Sequence, residues 1–566
     1  NFSYSVTKDM VLVAQWMEPM PISTEPITYL DKDGNQQVCN KYTVLTSNTA
    51  GSILDLKDKW YDLPAGWYVV KGDVTFTPRL DTHGAVNLIL TDGSHLTTEW
   101  GINVKEGDTF TVYAQSTGED TMGRLTACLS EDLLDTPYYV WQNYGLPGIG
   151  SSTRYRKANS CIYENGGTII INGGNIRAKG QDKASAIGEC GYDTVTQSPS
   201  SENRQCGSIT INGGIVRTEA LTRKTTTGSM GIGSCRSGYG GSVTINGGTV
   251  MANAFNDAIC TGRGGSITIN DGDITARGGL GEIGRGNGIG PSWITYADIT
   301  INGGNIDASA DGRGAAIGGV LSTRVKITGG TIKAVGNYAT VAIGSNEGRG
   351  GSVSITGGKI TAIGKGDADG IGGHADVSIT DGEIDVSVEG SGVAIGGNAG
   401  GSINIQGNAI KSISSRSGAC IGGSAKNITI LDAELPFLGG EGILIGNEVG
   451  DNTGGDLTIR NCRILSTYTE ARGGIQVGNN GKIQIENSEI KLSRANGIRT
   501  GDGGSIAIRD SKLVTNGIYM VEEGTTQRKL KRLEITNSTV VTSDALGSKG
   551  NSTSVGEIVI HGSSIR

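Results

Sequence analysis

The stretch Ser242-Val243-Thr244-Ile245-Asn246-Gly247-Gly248 constrains this chain more than any other. Polar and aliphatic residues alternate, so Val243 and Ile245 share one face of a short strand and Ser242 and Thr244 the other. The two glycines then permit a tight turn with φ > 0, which a Cβ would penalise. A strand this short cannot bury its apolar face alone and needs copies of itself.

The copies are present. Taking the second inward residue as a marker gives Ile171, Ile211, Ile245, Ile269, Ile301, Ile327, Ile355, Ile379, Ile405, Ile430, Ile459, Ile485, Ile508, Ile535 and Ile560. The mean spacing is about 28 residues, within the range of solenoid repeats. A second strand follows each turn, with an inward aliphatic such as Ile306 or Ile332 and often Ala two places on (Ala308, Ala334). A third element, Ala-Ile-Gly, comes next at Ala186, Ala316, Ala342 and Ala394. Three short strands per repeat, each dependent on its neighbours, predict an all-β fold: a right-handed parallel β-helix, or β-solenoid.

Composition removes the competing architectures. There are 94 Gly among 566 residues, but no strict Gly-X-Y period and only ten Pro, so collagen is excluded. A net charge of −8 with no sustained basic stripe argues against nucleic acid as a partner. No 18-residue apolar run is present, so no transmembrane helix is expected. The oligomeric state is left open. The chain opens inside a module and closes at Ile565-Arg566, where a coil would run on, so native sequence or a cap is expected beyond both ends.

Residues 1–18 read as the end of a small β-rich module, 19–66 as a linker and lead-in segment, and 67–566 as the β-helix. The run Val6-Thr7-Lys8-Asp9-Met10-Val11-Leu12-Val13-Ala14-Gln15-Trp16 resembles the last strand of the Listeria–Bacteroides repeat of internalin-type bacterial surface proteins. That resemblance implies an exported, cell-surface protein. Pro19, Pro21 and Pro26 follow and read as a stiff linker. Degenerate early coils then start at Trp67-Tyr68-Val69-Val70; Val86, Leu88 and Leu90 alternate before an Asp-Gly turn, and Gly148-Ile149-Gly150 stands where Ala-Ile-Gly would. From Trp67-Tyr68-Val69-Val70-Lys71-Gly72-Asp73-Val74-Thr75 onward, with the Ile-Thr-Ile-Asn-Gly-Gly coils, about 500 residues are similar to gut-bacterial surface proteins labelled carbohydrate-binding. The resemblance implies a glycan as partner and supplies no catalytic motif.

Asn172, Asn212, Asn246, Asn270 and Asn302 share one position in five successive repeats, which predicts an asparagine ladder holding the turns. Of 28 aromatic residues, 19 fall in the first 163. Tyr138, Tyr139, Trp141 and Tyr144 cluster in one insertion, and Trp293 and Tyr296 in another, so both are candidates for stacking on sugar rings or for packing between loops. Asp367, Asp369, His374 and Asp381 form the clearest polar departure from the coil consensus. Carboxylates from adjacent coils can serve as acid and base in polysaccharide cleavage: Asp367 or Asp369 as acid, Asp381 as base, His374 orienting substrate. The same acidic loop could hold Ca²⁺, or be ordinary turn chemistry; no other cofactor is indicated. Arg528, Lys529, Lys531 and Arg532 form a short basic run that reads as a charged solvent face. Cys190 and Cys235 occupy equivalent offsets compatible with a disulfide between coils; Cys190 could instead close a loop with Cys206, or the thiols could be free. A non-catalytic adhesin or glycan-binding solenoid, a polysaccharide hydrolase or lyase, and a plain spacer are therefore the functions to distinguish.

Overall fold

In the computed structural model, the described residues are 20–47, 60–127, 146–156, 160–180, 184–189, 205–220, 229–234, 238–280, 286–291, 296–347, 350–397, 401–437, 442–447, 455–466, 473–492, 497–520, 529–544, 546–548 and 554–566. Among them there is no helix. Parallel coils stack into the β-helix that the repeat predicts.

The repeat marker is the stacking register. Ile171 pairs with Ile211, Ile245 with Ile269, Ile269 with Ile301, and Ile301 with Ile327, all parallel. On the second face Ile306 lies beside Ile332 and Ala308 beside Ala334. Two strands, Ser352–Gly364 and Asp376–Val388, run round the first corner unbroken, so the first two faces join in one 37-stranded sheet. The Ala-Ile-Gly elements form a separate 14-stranded sheet, the third face. The inward Ile columns are buried in one continuous core up to the last rung, where Ile558 and Ile560 are each 47 % exposed. Each such side chain contributes about 1.5–3 kcal/mol of transfer free energy, which no single coil could collect unstacked.

The glycine of Ala-Ile-Gly is a packing requirement. Gly318 has φ +138, and a Cβ there would collide with the carbonyl oxygen of Gly344 on the next coil. The early coils follow the same plan: Val86, Leu88 and Leu90 lie beside Phe110, Val112 and Ala114, and Ile149 bridges Ile102 and Ile187.

Two differences from the sequence reading stand out. Where a linker and lead-in segment were expected, residues 20–47 form strands. Tyr42–Val44 pairs antiparallel with Ile22–Ser23 and parallel with Trp60–Val70, so it adds a rung to the first face. A hairpin of Ile27–Leu30 and Gln36–Cys39 covers the outside of that face, burying Val69 and Ile89 against Ile27, Cys39 and Tyr42. The second difference is a change of corner type. From Ile171 to Ile379 the positive-φ residue is the third after the marker, as at Gly248; from Ile405 onward it is the second, as at Asn487 (φ 46) and Asn537 (φ 49). The change coincides with one extra residue, since Ile384 pairs with Ile410 but Asp385 pairs with Ser412. Asn and Asp tolerate this left-handed conformation because their short polar side chains bond locally.

Candidate functional site

The asparagine ladder forms as expected. Asn212, Asn246, Asn270 and Asn302 each donate from Nδ2 to Oδ1 of the preceding rung at 2.7–2.8 Å, and Thr328 Oγ1 donates to Asn302 at 2.9 Å. With donors and acceptors paired along the axis, the ladder ties turns together. A second ladder, with a weaker sequence signal, holds the C-terminal corners: the backbone N–H groups of Cys462, Ser488, Ser511 and Ser538 each donate to the next coil's Ser Oγ at 3.1 Å.

The acidic candidates do not converge. Asp381 sits at the first corner, its Oδ1 accepting Gly382 N–H at 2.7 Å. Asp367 is at the second corner and accepts from Ser391 Oγ at 2.5 Å. Asp369 opens the third-face strand Asp369–Gly373, in register with Val341, and Oδ1 accepts the Val393 N–H at 2.7 Å. It is only 8 % exposed, and burial pushes its carboxyl up to about 7 against the weaker, opposing effect of the Val393 bond. His374 lies at the third corner, where its N–H donates to Ser345 O at 2.8 Å. Four residues at three corners form neither an acid–base pair across a groove nor a calcium cage. They are close in sequence, but the chain passes round two corners of the coil between Asp367 and Asp381.

Tyr138, Tyr139, Trp141 and Tyr144 lie outside the described residues, as do Trp293, Cys190 and Cys235. Cys39, Cys420 and Cys462 are free and buried. Within the basic run, Arg532 pairs with Glu557 at 2.8 Å and Glu534 at 3.2 Å, a solvent-face arrangement. Part of the N-terminal aromatic excess is structural: Tyr29, Trp67 and Tyr113 have ring centroids 4.8–5.3 Å apart beneath the hairpin.

Tyr296 is different. It is 46 % exposed and stands at the third corner, between the third face of one coil and the first face of the next. One rung back is Arg263, and one rung further is Tyr239, with the Arg263 guanidinium carbon 5.7 Å from each ring centroid. Backbone bonds hold the three rungs in order: Gly240 N–H donates to Arg263 O at 2.9 Å and Gly264 N–H to Tyr296 O at 2.8 Å. Gly264 lies against the ring and takes φ +75, a left-handed conformation that a Cβ would penalise. The preceding rungs of the same corner carry Gln205, Asn165 and Glu106, with Asn165 Nδ2 donating to Glu106 Oε2 at 2.9 Å and Asn165 Oδ1 accepting Gln205 N–H at 3.0 Å. Six successive rungs at about 4.8 Å each give a strip of roughly 24 Å, with amides at one end and rings at the other.

The strip begins at a charged cluster. Asp62 and Asp81 are in register on adjacent coils, followed by Asn103. His83 Nε2 lies 3.0 Å from Asp62 and 3.6 Å from Asp81, and the three ligand atoms fall within 4.8 Å of one another. Lys105 Nζ reaches Asp81 at 3.3 Å and Asp108 at 4.0 Å; Asn103 Nδ2 joins Asp81 at 2.7 Å to Glu164 at 3.0 Å. Asp81 is 2 % exposed, so Lys105 and Asn103 compensate its charge where water cannot. The cluster was not legible beforehand, and of the Tyr239–Arg263–Tyr296 stack only Tyr296 was singled out, because each group joins residues from different coils through connections of irregular length.

Comparisons with protein-family models, curated proteins and solved structures find no match.

Proposed function

We propose that this chain is a bacterial cell-surface, carbohydrate-binding β-solenoid that acts without catalysis, gripping an extended glycan along its third corner. The observation that carries the reading is the Tyr239–Arg263–Tyr296 stack on a rigid corner that also presents amide groups. Aromatic faces with polar edges suit the apolar and hydroxylated sides of a sugar ring. Mounting them on a solenoid fixes their spacing before binding, which reduces the entropy lost on association. The surface location rests on the resemblance of residues 6–16 to a bacterial surface repeat. The test is a glycan-array screen of the full chain against a Tyr239→Ala/Tyr296→Ala variant, with product analysis of any bound polysaccharide. The reading expects binding without cleavage and at least a ten-fold loss in the variant; undiminished binding in the variant would remove the site.

A polysaccharide hydrolase or lyase is the second reading, and the Asp62–Asp81–His83–Lys105 cluster favours it. Carboxylates from adjacent coils meet there with a histidine and an ammonium, groups suited to acid–base work on a glycosidic or uronate substrate. Release of shortened products in the same screen, abolished by Asp62→Asn, would put this reading first.

A further inference from the structure

We propose that the corner strip selects glycans bearing carboxylate sugars, with Arg263 as the residue that reads the carboxylate. The inference rests on the carbohydrate-binding reading above and names its ligand class.

The argument begins with charge. Among the described residues Arg263 has no ion pair, although its guanidinium is exposed and held in place by two rings. Among the described residues the neighbouring cations are paired: Lys105 with Asp81, and Arg324, on the first face, in a two-bond pair with Asp298, Nε to Oδ1 at 2.5 Å and Nη2 to Oδ2 at 2.8 Å. Asp298 is therefore committed to Arg324 in the register that puts both on the first face. Glu106 and Glu164, the acids of the strip, lie at its far end and are bonded to Asn165 and Asn103. A guanidinium flanked by two rings at 5.7 Å and paired with no acid among the described residues has N–H groups to offer an acceptor, and the best match to their fork is a carboxylate taken through two parallel bonds. The rings themselves supply stacking surface for the flanking sugars, so cation and platform act on one oligosaccharide. The whole chain carries a net charge of −8, which gives a polyanion no long-range attraction. Selectivity must then come from the Arg263 contact and vanish with it.

The test uses the full chain against three uronate polysaccharides (polygalacturonate, alginate and hyaluronan), each paired with its carboxyl-reduced counterpart, and includes a neutral glucan. Affinity is measured by surface plasmon resonance for the wild type, Arg263→Gln and Arg263→Lys. The expected result is at least ten-fold tighter binding to one uronate polymer than to its reduced form. That preference should fall below two-fold in Arg263→Gln and recover partly in Arg263→Lys. Circular dichroism of the variants should be unchanged, because Arg263 is exposed. Binding to neutral or reduced polymers with no uronate preference would overturn this inference and leave the carbohydrate-binding reading standing. A uronate preference that survives Arg263→Gln would overturn the assignment to this residue. Failure to bind any polymer in the panel would overturn the inference together with the reading beneath it.

Discussion

Replacing Asp369 by Asn should make the stability of the surrounding coils less dependent on pH. The carboxyl is 8 % exposed in a column where its register neighbour is Val341, and its pKa is raised from 3.8 to about 7. Because the folded value lies above the unfolded one, the native state binds the extra proton between those limits. Stability from this group is fully present below about 3.8 and is lost as pH rises to about 7. Each pH unit in that window costs about 1.36 kcal/mol, so the whole interval amounts to about 4 kcal/mol. Asn is neutral throughout and keeps an oxygen to accept the Val393 N–H, but its amide must find a partner, at about 1–3 kcal/mol. That penalty is the same at every pH and cancels in a difference. Between pH 5 and pH 8 the variant should therefore gain about 3 kcal/mol on the wild type. A solenoid does not unfold in one step, so the assay is hydrogen exchange of peptides covering Val341–Ser345, Asp369–Gly373 and Ile395–Gly397. An offset between the two proteins that is equal at pH 5 and pH 8 would refute the reasoning.

Other substitutions probe other layers of the structure. Gly318→Ala should cost at least about 3 kcal/mol in the local coils, because a clash with the Gly344 carbonyl adds to left-handed strain. Gly350→Ala, with φ +89 but its nearest neighbour Ser322 Oγ at 3.7 Å, should cost about 1–2 kcal/mol in the same exchange experiment; the opposite order would be fatal to the argument. Asn270→Ala breaks two rungs of the ladder, and because those amides reach water the expected loss is about 1 kcal/mol, confined to coils near residues 246–302 by exchange. A loss above about 4 kcal/mol, or one spread over the whole chain, would mean the ladder is more than a turn device.

The repeat was legible because it is a folding requirement written once per coil. Ile245, Ile269 and Ile301 had to align, and the ladder asparagines one residue later had to align with them. The change of corner after Ile379 was also written in the chain, as Asn-Gly-Gly giving way to patterns such as Asn487-Ser488 and Asn537-Ser538. It was missed because both corners keep the same number of residues from one inward aliphatic to the next. Sites are harder to see. Asp367, Asp369, His374 and Asp381 are close in sequence and lie at three corners, whereas Tyr239, Arg263 and Tyr296 are far apart in sequence and lie on consecutive rungs. Proximity in a solenoid runs along the axis, one coil length at a time, and variable connections hide that interval. Asp62 and Asp81 illustrate the same point at the N-terminal end, where a segment read as lead-in already forms a rung.

The most direct measurement is carbene footprinting of the full chain with and without a bound oligosaccharide from the glycan screen. Protection concentrated on Tyr239, Arg263 and Tyr296, extending toward Gln205 and Asn165, is the predicted result. Protection at the Asn246–Asn302 ladder corner, or on the first-face strands away from the third corner, would contradict it.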